Sequence, residues 1–232
     1  MNIVITGASK GIGFAIAKKF AAHGHHLFLT SKTAADLVNA VDELKQLYPN
    51  VTIEGIHADL SIEGQVHCFT EWCLLHTQPD ILVNNAGYFL PGKIAEEASG
   101  TLEAQLNANL LSAYYTTKDL LPAMLKKGKG HIFNICSIAS LDAYESGGSY
   151  SISKFALLGF SKNLRLELKD KGIKVTAVCP GAVYTNSWKG SGVDPKRIME
   201  ANDIADMIYA ASQLSPQAVV EDIVMRPQLG DL

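Results

Sequence analysis

Two groups of residues in this 232-residue chain have types and spacings that could do chemistry. The first, Thr6-Gly7-Ala8-Ser9-Lys10-Gly11-Ile12-Gly13, follows an apolar run at 3–5 and opens a stretch with helical spacing. Gly7 permits a tight turn, Gly11 lets a pyrophosphate approach the backbone, and Gly13 lets helix and strand pack closely; the exposed N–H groups and the helix dipole then favour an anion. The second group is Tyr150 and Lys154, one helical turn apart, so that both project from one face. Bringing a phenol from its ordinary pKa near 10 to about 7 takes roughly 4 kcal/mol of differential stabilisation. One ammonium about 4 Å away, at an effective dielectric near 20, supplies an energy of that order. Taken singly, neither group decides anything: a glycine-rich turn can bind nothing, and a tyrosine and a lysine four apart can simply be surface residues.

The elements that must position these residues are legible as a repeating pattern. Short runs rich in Val and Ile recur at 3–5, 27–29, 51–56, 81–83, 131–136, 173–178 and 219–225. Most lack strict alternation, as expected of strands buried on both faces of a parallel sheet. Between them lie helical stripes, such as Ile12, Ile16, Ala17 and Phe20, or Leu37, Val41, Leu44 and Leu47 ended by Pro49 and Asn50. Strands alternating with helices predict an α/β fold: a Rossmann-type, doubly wound, seven-stranded parallel sheet flanked by helices on both faces. With no repeat or linker to divide it, 1–232 reads as one domain. The stretch 182–200, with Gly190, Gly192 and Pro195, has no clear periodicity and follows the C-terminal end of a strand. Open α/β sheets place their ligands on that edge, so it reads as a mobile substrate lid carrying Trp188.

Composition narrows the classes further. The chain is 47% apolar and 19% charged, enough for a large core. Twenty basic residues against 23 acidic give a formal charge of −3, which offers no field for nucleic acid or an anionic membrane. Cys68, Cys73, Cys136 and Cys179 form no C-x-x-C pair and read as reduced thiols. With no leader-like start and no apolar stretch near the roughly 20 residues that span a bilayer, the expectation is a soluble, cytoplasmic protein. No metal is expected: His23, His25 and His26 cluster without a cysteine or carboxylate to complete a shell. Lys126, Lys127 and Lys129 read as a solvated helix end.

The glycine spacing is G-x-x-x-G-x-G. Together with Asn84-Asn85-Ala86-Gly87 after the fourth run, Tyr150-x-x-x-Lys154 and Pro180-Gly181, it resembles the short-chain dehydrogenase/reductase family along essentially the whole chain. The resemblance implies that Tyr150 exchanges a proton with the oxygen of a carbonyl reduced by hydride transfer. It implies that Lys154 tunes that phenol and binds the nicotinamide ribose. Ser137, thirteen residues before the tyrosine, matches the catalytic serine that hydrogen-bonds the substrate oxygen, and Asn109 matches the asparagine that holds a relay water. A nucleotide site is implied over Gly7, Ser9, Lys10, Gly11, Ile12 and Gly13; Ser31 and Lys32; Asp59, beside the adenine, and Leu60; Asn85, Ala86 and Gly87; Tyr150 and Lys154; and Pro180, Gly181, Val183 and Thr185, the last against the carboxamide.

The second run ends Leu29-Thr30-Ser31-Lys32-Thr33, with no carboxylate to hold a ribose 2′-hydroxyl, and Lys10 is a second cation which the resemblance implies also faces a 2′-phosphate. Both favour NADP(H) over NAD(H). Asp36 is the rival acid, but it belongs to the first turn of the next helix, where a carboxylate already suits the dipole. Ser137, Tyr150 and Trp188 are expected to meet a small-molecule carbonyl substrate. The stretch 180–188 and the ending 220–227 resemble bacterial sepiapterin reductase-like members, which points to a pterin or a small dicarbonyl. The alternatives are a 3-oxoacyl-thioester reductase, whose usual glycine-rich ending is absent here, and a non-catalytic NADPH sensor, which commonly lacks the Tyr, Lys or Ser present here. A homodimer or homotetramer is expected through helices near 101–125 and 149–170, where Leu120, Leu121, Leu157, Leu158 and Phe160 look surplus to each helix's own sheet.

Overall fold

The computed structural model describes every residue except Lys189 and Ser191. The chain runs β1 (Asn2–Thr6), α1 (Gly11–Ala22), β2 (His26–Ser31), α2 (Ala34–Leu47), β3 (Ile53–His57), α3 (Glu63–His76) and β4 (Ile81–Asn84). Next, α4 (Thr101–Leu106) passes through a π-helical turn (Asn107–Leu111) into α5 (Ser112–Lys127), followed by β5 (Gly130–Ile135), α6 (Gly148–Leu168) and β6 (Ile173–Pro180). Two short strands, β7 (Val183–Tyr184) and β8 (Met199–Glu200), precede α7 (Ala201–Ser212) and β9 (Asp222–Met225). Seven strands form one sheet in the order β3-β2-β1-β4-β5-β6-β9, every neighbour parallel. This is the doubly wound sheet the sequence predicts.

Two-sided burial explains the missing alternation. In β1, Ile3 and Ile5 join a core with residues of α1, α2 and α7, while Val4 joins the opposite core with residues of α3, α5 and α6. Near the far edge a buried histidine ties three segments together. His131 Nε2 lies 2.7 Å from Thr176 Oγ1, which donates to the Val220 carbonyl at 2.6 Å. Thr176 therefore accepts from the ring, which is the neutral Nε2–H tautomer.

One expectation needs correcting. Leu120, Leu157 and Leu158 are buried inside the subunit, and Leu121 and Phe160 pack partly against the same cores. They are not surplus, because α5 and α6 also bury side chains against neighbouring helices. The apolar side chains these two helices leave exposed are Tyr114, Ile152, Phe155 and Leu166. Within 182–200, β7 pairs in parallel with β8, and Val183 and Met199 are buried in the core. The Arg197 guanidinium donates to the carbonyls of Leu229, Gly230 and Asp231. Both ends of the segment are anchored, and Lys189 and Ser191 lie outside the described residues. Among the described residues no helix is long and apolar enough to cross a membrane.

Candidate active site

The strand order reverses between β1 and β4, and at their C-terminal ends two loops are stitched together. Thr6 Oγ1 accepts from the N–H groups of Asn85 and Ala86, both at 2.9 Å. Asn85 Nδ2 donates back to the carbonyls of Thr6 and Gly7 at 3.0 and 2.9 Å. Gly11 turns with φ +56°, in the left-handed region that favours glycine. Gly13 does not line the cleft; its role is close packing, since a Cβ there would collide with the Gly7 carbonyl and the Asn85 amide. The cleft above these loops has a chamber of about 570 Å³ on the β4–β6 side and one of about 440 Å³ on the β2–β3 side, sharing Gly7, Ala86, Gly87 and Tyr88.

The cleft fits a dinucleotide on its own terms. The start of α1 has no side-chain cap and no acidic residue in its first turn, so its N–H groups are left for an external anion. Lys10, Gly11 and Ile12 line the larger chamber, with Thr185 lying over Gly11. Thr30, Ser31, Lys32, Asp59 and Leu60 line the smaller one, where Thr30 Oγ1 is buried without a hydrogen-bond partner. Ser9 stands behind this wall, 2.7 Å from the Ser31 hydroxyl.

Each lysine read as a free cation meets a carboxylate. Lys10 pairs with Asp36 at 2.6 Å, and Lys32 with Asp59 at 2.9 Å. Burial works to raise the Asp59 pKa, but hydrogen bonds from Ser61 and Lys32 outweigh it and hold the carboxyl below its usual range. Asp36, set aside in the sequence as a helix-start residue, is thus part of the cleft's charged rim.

On the opposite wall of the larger chamber are Ser137, Tyr150 and Lys154. Ser137 lies just past the end of β5 and caps the short turn Ile138–Ser140: its Oγ accepts from the Ala139 N–H at 3.1 Å, while its own N–H donates to Ser140 Oγ. That fixes the oxygen and leaves the hydroxyl proton to point into the cleft. Tyr150 and Lys154 project from the first turns of α6. The Lys154 ammonium, buried, donates to the Ile135 carbonyl at 2.9 Å and sits 5.9 Å from the centre of the Tyr150 ring. Burial lowers the Lys154 pKa. Burial also raises that of Tyr150, against the opposing hydrogen bond to Ser137. Burial thus works against the expected lowering of the phenol by Lys154, because desolvation disfavours the charged form of both groups.

Asn109 does not reach the cleft. Fully buried in the π-helical turn, its Oδ1 accepts from the Tyr88 N–H at 2.9 Å, and its Nδ2 donates to the Tyr88 carbonyl and to Ser153 Oγ. With its side chain fully engaged, Asn109 positions the loop after β4 against α6. A residue the sequence reading missed does similar work: the Glu97 carboxylate accepts from the Ser149 N–H at 2.8 Å and from the Ser149 hydroxyl, at the start of the helix carrying Tyr150. Nothing in the local sequence signals a cap supplied from 52 residues away. Tyr88, Phe89, Asn186 and Trp188 complete the mouth of the chamber, with Phe89 set edge-on to Tyr150 at 4.8 Å between ring centres.

Known proteins share this architecture. The family model described as short chain dehydrogenase matches residues 1–195. A sepiapterin reductase of Chlorobaculum tepidum is 35% identical, over 99% of this chain and 97% of its own length. An uncharacterized oxidoreductase of Staphylococcus epidermidis is 30% identical over 97% of this chain and 96% of its own. Among solved structures, an alcohol dehydrogenase from the archaeon Thermococcus sibiricus complexed with 5-hydroxy-NADP superposes with a TM-score of 0.90 at 26% identity, covering 100% of this chain and 98% of that one. The L-sorbose reductase of Gluconobacter frateurii complexed with NADPH and L-sorbose gives 0.87 at 28% identity, over 96% and 94% of the two chains. A match of this extent to the family model, with relatives aligned along nearly their full length, settles the matter: the chain belongs to the short-chain dehydrogenase family of oxidoreductases.

Proposed function

We propose that this protein is an NADP(H)-dependent carbonyl reductase, with a pterin or a small dicarbonyl as its substrate class. The observation that carries this reading is the convergence of the Ser137 hydroxyl, the Tyr150 phenol and the Lys154 ammonium on one wall of a cleft whose other wall is the uncapped start of α1. The cofactor assignment is supported by the NADP or NADPH bound in structural relatives and by Lys10 and Lys32, one lining each chamber of the cleft. Gly7, Gly11, Ile12, Asn85, Ala86 and Gly87 would cradle the dinucleotide centre, and Pro180, Gly181, Val183 and Thr185 its nicotinamide end. When bound, NADPH supplies the hydride that adds to the carbonyl carbon.

The chain's own residues do the rest. Ser137 donates a hydrogen bond to the carbonyl oxygen and holds it against Tyr150. The Tyr150 Oη–H bond breaks as its proton passes to that oxygen, giving the alcohol. Lys154 keeps a positive charge near the phenolate so formed, and Asn109 holds the adjoining loop in register. Apart from Lys10 and Lys154, no charged side chain lines the larger chamber among the described residues, and Tyr88, Phe89 and Trp188 offer aromatic surface to a flat, uncharged substrate. The relative named sepiapterin reductase supports the pterin choice.

A panel of pterin, dicarbonyl, sugar and 3-oxoacyl substrates, with loss of NADPH absorbance followed, tests this. Turnover on pterins or dicarbonyls bears it out, and activity confined to 3-oxoacyl thioesters contradicts it. We also propose a cytoplasmic homodimer or homotetramer, supported by the free cysteines and by the outward-facing Tyr114, Ile152, Phe155 and Leu166. A monomeric mass at micromolar concentration would contradict the assembly.

A further inference from the structure

We infer that Asp36 sets the strength of cofactor discrimination, by competing with the ribose 2′-phosphate for Lys10. The inference rests on the NADP(H) reading above. Lys10 stands at the N-cap position of α1, and its ammonium meets Asp36 in the first turn of α2 at 2.6 Å. Asp36 has its own reason to remain there as an anion. The N-cap residue of α2, Thr33, makes no side-chain capping bond, and Asp36 is the acidic residue of that first turn, where the helix dipole favours negative charge.

The neighbouring cation is also engaged. Lys32 pairs with Asp59, whose other oxygen accepts from the Ser61 hydroxyl at 2.6 Å and the Ser61 N–H at 3.1 Å. Asp59 is thus held from two sides, whereas Asp36 makes its ion pair with Lys10 alone among the pairs seen here. The corner that must receive a dianionic 2′-phosphate therefore holds two cations and two carboxylates, formally neutral. A phosphate arriving at Lys10 must share or displace Asp36, while a ribose bearing only a 2′-hydroxyl leaves the ion pair intact. Asp36 accordingly weakens the preference for the phosphorylated cofactor and spares the unphosphorylated one. The rim is partly exposed, so the effect has the size of a solvent-screened pair, about three- to fivefold in affinity.

Calorimetric titration of 2′,5′-ADP and of 5′-AMP measures this without turnover. In Asp36→Asn, 2′,5′-ADP should bind about three- to fivefold more tightly while 5′-AMP stays within about twofold. The gain should shrink at high salt. It should vanish when Lys10→Met is added, since the two residues act as a pair. Unchanged or weaker 2′,5′-ADP binding in Asp36→Asn overturns the inference, as does an equal gain for both ligands or a gain that survives Lys10→Met. If neither the unmodified protein nor Asp36→Asn distinguishes the two nucleotides, the NADP(H) reading fails and takes the inference with it. If the unmodified protein distinguishes them and Asp36→Asn does so to the same degree, only the inference fails.

Discussion

In the mechanism proposed here, the competition between burial and hydrogen bonding at Tyr150 decides which direction of reaction the resting site is ready for. Burial raises the phenol above its ordinary value, so it is protonated at neutral pH and already in the form that donates to a reduced carbonyl. We predict that, at saturating NADPH, kcat for reduction is insensitive to loss of the phenol proton up to about pH 10. The reverse oxidation, which needs the phenolate, should rise about tenfold per pH unit over the range below that. Stopped-flow rates in both directions across pH check the sign, and an oxidation rate that levels off near pH 7 would mean that Lys154 does depress the phenol. The Tyr150–Lys154 pairing was legible because the two lie one turn apart on a helix. The pairing of Lys10 with Asp36 was not, since 26 residues separate them and only the sheet brings α1 and α2 side by side.

The helix α6 carries Tyr150 and Lys154, and its first turn depends on a carboxylate from outside. Gly148 has φ +41° and lies so close to Glu97 that a Cβ would strike its carboxylate. This loop and helix start therefore form one tightly packed joint. Glu97→Gln keeps one acceptor and loses the other, along with the charge at the helix N-terminus. The expected cost is about 1 kcal/mol, or roughly 2–4 °C in Tm. Because Tyr150 is one residue beyond Ser149, kcat should fall several-fold more than NADPH affinity does. Equal losses in both would make Glu97 merely structural. Two other features at this scale escape the sequence for the same reason. A π-helical turn leaves the hydrophobic stripe of α4 and α5 nearly unbroken, and the ribbon of β7 and β8 is too short to show alternation.

Across the whole molecule the sheet was the most legible feature, because strands buried on both faces read as near-continuous apolar runs. One buried polar group inside it gives the protein a pH dependence. Burial lowers His131 to about 3, so the folded chain keeps this ring neutral while the unfolded chain protonates it near its ordinary 6.5. Stability from this group is therefore fully present above about pH 6.5 and declines as the pH falls, by at most about 1.4 kcal/mol per unit, until the folded ring also titrates. His25, lowered by burial, adds to the decline, and His67, raised by its hydrogen bond to Asp119, opposes it. Comparison with His131→Gln isolates the buried ring. Urea unfolding between pH 7 and 5 should show a flatter dependence in the variant, and parallel curves would contradict the assignment.

The central claim, that one cleft holds the cofactor and presents Tyr150 as the proton donor, is tested most directly by Tyr150→Phe. This change removes the hydroxyl and leaves the ring against Phe89. NADPH should bind the variant within about twofold of the unmodified protein, while turnover of the best carbonyl falls by about 10²- to 10⁴-fold, the range expected for a lost general acid. A Tyr150→Phe protein that binds NADPH normally and still reduces its carbonyl at near the original rate would contradict the account.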